Sequence, residues 1–154
     1  MYKKVLVPLD GSELAECTLS HVKSLFKDGA LGEVILLNVV KVDIPWAVME
    51  PNQYYKFDIN AIRGPLFIES EKYLQDLESR LGSEGMKVRT VSLEGNRPAD
   101  TITEYAHKEG MDMIIMGTHG RTGLKKLMIG SVAFGVLHQS HIPVLLIRPE
   151  SCRP

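Results

Sequence analysis

Between Gly117 and Ser131 the sequence reads GTHGRTGLKKLMIGS, and its clearest chemistry lies in residues that have no side chain. Gly117, Gly120, Gly123 and Gly130 leave main-chain N–H groups uncovered, so an anion such as a phosphate can come close to them. Gly130-Ser131 opens a helical pattern with Val132, Val136 and Leu137 on one side. The start of a helix offers N–H groups without intrahelical partners, together with the positive end of its dipole. Ser131 stands at the cap position, where its hydroxyl could bind a phosphate oxygen or only cap the helix. The alternative for the whole stretch is a long, flexible loop between strand and helix with no ligand. His119 and Arg121, inside it, could reach phosphate or stand as solvated loop residues. Lys125 and Lys126 read as the solvated face of a short helical turn, with added positive potential for an anion as the alternative.

Other chemistries fit less well. Ser131 lacks the flanking glycines of a hydrolase elbow, because Ile129 and Ala133 occupy those places. Gly117 to Lys126 has the wrong glycine spacing for a Walker A loop and contains no Gly-Lys-Ser/Thr. No GxGxxG follows the first strand. His138 and His141, three apart near a helix end, read as cations at a C-terminus, since no third metal ligand is evident. Cys17 and Cys152 have neither zinc nor redox spacing and are expected to be unpaired thiols. Asp10, at the end of the first strand, reads from its position as an Asx turn or an acidic charge at a helix start, with a ligand contact as the alternative.

These groups need a scaffold to bring them together. Lys3 to Leu9 reads as a first strand, and Ser12 as the N-cap of a helix carrying Leu14, Thr18, Val22, Leu25 and Phe26 and stopping at Gly29. Glu33 to Val40 is a second strand with the continuous apolar centre Val34-Ile35-Leu36-Leu37. Met113-Ile114-Ile115-Met116, before Gly117, has the same character. Such runs belong to parallel strands buried on both faces. Lys87 to Leu93 alternates instead, which places it at a sheet edge. Helical spacing runs from Leu66 to Leu81 and again through Ile102, Tyr105 and Ala106 to Gly110. Pro143 closes the last helix and opens a final strand, Val144 to Ile147. Lys41 to Gly64 gives no clean pattern. Its aromatic part, Trp46 to Phe57, is expected to pack on the surface as a loop, with a dimer contact or a cover over a ligand as the alternatives. The alternation of strands and helices gives an α/β fold with a doubly wound open parallel sheet.

Composition is consistent with this. At 154 residues the chain is expected to form a single domain, residues 1–154. A hydrophobic content of 44% and a charged content of 24% suit a globular protein. The net charge of −1 provides no basic field for nucleic acid or membrane. No apolar run is long enough to span a bilayer, and MYKK leads straight into a strand without a signal-peptide core, which points to the cytoplasm.

The spacing of Gly117, Gly120 and Gly130-Ser131 resembles the nucleotide-binding signature of the universal stress protein family. So do the start YKKVLVPLDGSELAE, the middle EVILLNVV and the end PVLLIRP. The resemblance implies a Rossmann-like five-stranded sheet in the order 3-2-1-4-5. In that order the first and fourth strands are neighbours, and ligands bind at the switch point outside their carboxyl ends. It implies that Pro8, Leu9 and Asp10 meet the ribose or base, and that the main chain of Val39 meets adenine. It implies that Met116, Gly117, Gly120, Gly130, Ser131 and Val132 meet ribose and phosphates. The expected ligand is ATP, or AMP or ADP, with Mg²⁺ near Ser131 as an option and no metal held by the protein itself. The expected role is stress-response regulation through nucleotide-dependent shape or partners. Slow ATP hydrolysis or phosphoryl or adenylyl transfer is one alternative, and a dimeric module with an empty loop is another. In the 3-2-1-4-5 order the apolar last strand is an edge, which predicts a homodimer paired through Val144 to Ile147, with cover from the same chain as the alternative.

Overall fold

The computed structural model describes residues 1–44, 58–119 and 129–148, with the side chain of Leu14 excepted. The chain runs β1 (Tyr2–Pro8), α1 (Glu13–Lys27), β2 (Leu31–Val40), α2 (Ile59–Ser83), β3 (Lys87–Glu94), α3 (Pro98–Lys108), β4 (Met113–Gly117), α4 (Ser131–Gln139) and β5 (Val144–Ile147). All five strands are parallel, in the order β3-β2-β1-β4-β5. This is the Rossmann-like order expected from the sequence.

The continuous apolar runs divide between two cores. Along β1, Val5 and Val7 face the side covered by α1 and α2, and Leu6 faces the other. Along β2, Val34 and Leu36 join the first core, and Ile35 and Leu37 join the second with Ile102 of α3 and Val136 of α4. Alternate residues are therefore buried on opposite faces, and no polar position interrupts the centre of either strand. β3 is half-exposed at one edge, as its alternation predicted, and β5 forms the other, as the resemblance implied.

Three readings are corrected. The helix expected from Leu66 begins at Ile59, where the Asp58 side chain accepts the Asn60 N–H at 3.0 Å as N-cap. It carries Pro65 inside, so Gly64-Pro65, which read as a boundary, forms helix interior. Packing of Ser70, Leu74, Leu77 and Leu81 against the sheet outweighs the missing N–H. Second, Ser131 is not the cap of α4. Gly130 is the N-cap, with φ −70° and ψ 160°, and Ser131 is the first helical residue. Third, Cys17 is disulfide-bonded, and no cysteine among the described residues is free. Sequence spacing carries no sign of that bond, because tertiary placement sets it. Cys152, Gly123, Lys125, Lys126 and the segment Trp46 to Phe57 lie outside the described residues.

Candidate functional site

The site forms where β1, β2 and β4 end. β1 stops at Pro8, opposite Leu37, and Leu9 adds one more bond, donating its N–H to the Leu37 carbonyl at 2.8 Å. The chain then turns through Gly11, whose φ of +80° is left-handed and suits glycine. Asp10 Oδ1 accepts from the Ser12 N–H at 3.0 Å and from the Ser12 hydroxyl at 2.6 Å. Ser12 Oγ in turn accepts the Ala15 N–H at 3.0 Å, which caps α1. The Asx turn read for Asp10 is thus present. It fixes the carboxylate just beyond the end of β1.

Behind Asp10, on the α1–α2 side, lies Tyr73. Its phenol is pushed up to about 12, first by burial and then by the negative charges of Glu16 and Asp10. The Gly11 main chain pulls the other way, but it lies outside good hydrogen-bond geometry to the buried Oη.

β4 delivers Gly117 and then Thr118, which is 3% exposed. The Thr118 N–H donates to the Ile147 carbonyl at 2.8 Å, and its C=O accepts the Gly130 N–H at 2.6 Å. This backbone bond pins the start of α4 beside the end of β4. The first intrahelical bond of α4 is Phe134 N–H to the Gly130 carbonyl, at 2.9 Å. The N–H groups of Ser131, Val132 and Ala133 therefore precede the helical ladder and point outward from the helix start. Since Gly130 has its own N–H committed to Thr118, its contribution to an anion site is the missing Cβ.

These segments enclose a cleft of about 500 Å³. Leu37, Val39, Pro98, Ile102, Met116 and Ala133 give it apolar walls. Polar groups in its lining include Asp10, Lys41, His119 and Ser131. Apolar walls suit the faces of a planar ring system, a carboxylate suits hydroxyl donors, and bare helix amides suit an anion.

Of the residues singled out in the sequence, Pro8, Leu9, Asp10, Val39, Met116, Gly117, His119, Gly130, Ser131 and Val132 all line this cleft. Gly120 and Arg121 lie outside the described residues. Sequence reasoning missed Lys41, Pro98, Ile102 and Thr118. Ile102 read only as part of a helical spacing and packs in the core as well, and Pro98 is the first residue of α3. No group of three potential metal ligands occurs among the described residues. None of the described helices is long and apolar enough to cross a membrane.

Comparison with known proteins covers the same stretch. The model of the universal stress protein family matches residues 1–148. Universal stress protein MJ0577 of Methanocaldococcus jannaschii is 38% identical over 160 residues, covering 98% of both chains. The solved structure of MJ0577 superposes with a TM-score of 0.79 at 36% identity, covering 96% of each chain. An Arabidopsis thaliana family member solved with AMP bound shares the fold, with a TM-score of 0.66 at 16% identity over 95% of this chain and 91% of that one.

Proposed function

Since this chain belongs to the universal stress protein family, we propose that its cleft binds an adenine nucleotide and that occupancy regulates its shape or partners. The observation that carries the reading is the cleft itself. It lies where β1 and β4, neighbours in the sheet, end, and its lining holds both Asp10 and the residues at the start of α4 whose amides are free of the helical ladder. In this reading the base lies between the apolar walls, beside the main chain of Val39. Asp10 accepts from ribose hydroxyls, and the phosphates meet Ser131 and Val132 N–H. Met116 and Gly117 flank the ribose, and Gly120, His119 and Arg121 extend the phosphate end. ATP is the favoured ligand, with AMP or ADP in the same seat. A magnesium ion travelling with the phosphates would meet the Ser131 hydroxyl, which is exposed and makes no cap.

The reading favours regulation over turnover. Phosphoryl transfer needs a positioned base and usually a metal held by carboxylates. Among the described residues lining the cleft, Asp10 is the only carboxylate, and Ser12 already engages it. Residues 1–154 act in this reading as one cytoplasmic domain that dimerises through β5, an edge strand with no neighbouring strand on its outer side among the described residues.

Mass spectrometry of the denatured, purified protein and a melting-temperature shift with added ATP test the nucleotide. Co-purified adenylate or a shift supports the reading. The absence of both overturns it.

A further inference from the structure

We infer that Asn38, oriented by Ser70 and Ser92, is a positioning residue that takes the end of β1 out of its ladder and frees the main chain of Val39 for the base. This rests on the nucleotide reading above. Leu37 and Val39 belong to the α3–α4 side, where the cleft opens. Asn38, between them, projects to the opposite face, where Ser70 of α2 meets it.

The hydrogen-bond chain there has one direction. Asn38 Nδ2 donates to the Leu9 carbonyl at 2.7 Å, which fixes the amide with Oδ1 turned away. Oδ1 accepts the Ser70 hydroxyl at 2.7 Å. A hydroxyl has one proton, so Ser92 Oγ, 2.7 Å from Ser70 Oγ, must be the donor to Ser70. The order is Ser92 to Ser70 to Asn38 to the Leu9 carbonyl. Flipping the amide would set Oδ1 against the Leu9 carbonyl oxygen, which has no proton to share. Ser70 is only 6% exposed, so the chain lies in a low-dielectric setting where satisfied polar groups are rigid.

The consequence is in the register. Leu9 N–H donates to the Leu37 carbonyl. In a parallel ladder the next bond would run from the Val39 N–H to the Leu9 carbonyl. The Asn38 amide occupies that carbonyl instead, and no backbone bond joins Val39 to Leu9. Val40 turns its carbonyl to the β3 side, where it takes the Gly95 N–H at 3.0 Å. Alternation therefore turns both main-chain groups of Val39 to the β1 side, into the space β1 leaves at Asp10. A neighbouring N–H and C=O present one donor and one acceptor. Adenine offers the matching ring-nitrogen acceptor and exocyclic amino donor, and guanine offers the reverse order.

The test uses Asn38→Ala in the full chain, with backbone amide exchange read by NMR and nucleotide affinity read by calorimetry. Without the side-chain donor, Val39 N–H should pair with Leu9 and its exchange should slow by ~10-fold, whereas a merely structural loss would speed it. ATP affinity should fall by ~10-fold and preference for ATP over GTP should shrink with it. Asn38→Leu, of similar volume and without a donor, should behave alike if the alanine variant does not fold. Ser70→Thr should match wild type where Ser70→Ala does not. Unchanged or faster exchange at Val39, or equal losses for ATP and GTP, overturns the inference. A wild-type protein that binds no nucleotide overturns the nucleotide reading instead and leaves the exchange result to decide this one.

Discussion

Replacing Gly130 by valine tests the phosphate end of the cleft with little disturbance elsewhere. Gly130 has φ −70° and ψ 160°, which any L residue adopts, so the substitution adds no backbone strain. Its N–H stays on the Thr118 carbonyl, and its C=O still accepts Phe134 N–H. What changes is the space in front of the Ser131 and Val132 amides. Hydrogen bonds from N–H groups to a charged acceptor contribute ~1.5–3 kcal/mol each, so keeping phosphate from two of them costs ~3–6 kcal/mol. Affinity for ATP should therefore fall by ~10²-fold or more. Loss of a good N-cap should cost the ligand-free protein ~1 kcal/mol, a drop of ~2–4 °C in melting temperature. At an ATP concentration of ~100 times the wild-type Kd, wild type should gain ~2.7 kcal/mol of stability. At the same concentration, a variant weakened ~100-fold should gain only ~0.4 kcal/mol. Calorimetric titration and paired melts measure both quantities. A folded variant that keeps ATP affinity within a factor of ~3 would refute the placement of phosphate at α4.

Three further outcomes follow from the packing. The Tyr73 phenol is raised to about 12 by burial first, then by Glu16 and Asp10, against ~10 when unfolded. The folded state thus holds that proton more tightly, so this contribution is intact below pH ~10 and is lost as pH rises from there through the folded value. Tyr73→Phe should abolish that alkaline loss and leave stability at neutral pH equal or higher, as urea titrations at several pH values will show. Gly135→Ala would set its Cβ 2.7 Å from the Ala99 Cβ, and neither carbon can rotate away. α3 and α4 must then separate, at ~1–3 kcal/mol of stability, and ATP binding should weaken because Ile102 and Ala133 wall the cleft. β5 uses the Pro143 and Ile147 carbonyls toward β4, so alternation turns the main chain of Val144 outward. Val144→Pro should shift sedimentation from dimer to monomer, and a wild type that already sediments as a monomer would remove the proposed pairing.

Legibility varied with the range of the interaction that decides each feature. Strand positions were readable because Val34 to Leu37 and Met113 to Met116 have no polar interruption, and burial on two faces demands that. The start of α2 was not, because Gly64-Pro65 carries strong local signals against helix, while the packing of Leu74, Leu77 and Leu81 that overrides them is tertiary. Asp10, Gly117 and Gly130, which line the cleft, drew notice in the sequence because of their types at strand and helix ends. Ile102 and Pro98 were not, since a residue that walls a cleft and a residue that fills a core have the same chemistry. Asn38 was passed over for a related reason. A single polar residue near the end of an apolar strand is unremarkable until the opposite helix is seen to bring Ser70 to it.

The glycines drew attention to the loop, yet its geometry at the cleft depends on Thr118, an unremarkable residue in the sequence. Its N–H goes to Ile147 on β5 and its C=O takes Gly130 N–H, while Oγ1 lies 2.9 Å from His119 Nδ1. The departure of the loop at Thr118 and its return at Gly130 are thereby joined by one short backbone bond. A main-chain bond of this kind places Thr118 and Gly130 relative to each other, whatever residues intervene. Thr118 also links Gly130 to β5 through the Ile147 carbonyl, so a displacement of Gly130 acts on two successive backbone bonds before it reaches the edge strand. Glycine gives the site its access, and the pinned, 3%-exposed threonine gives it a fixed shape.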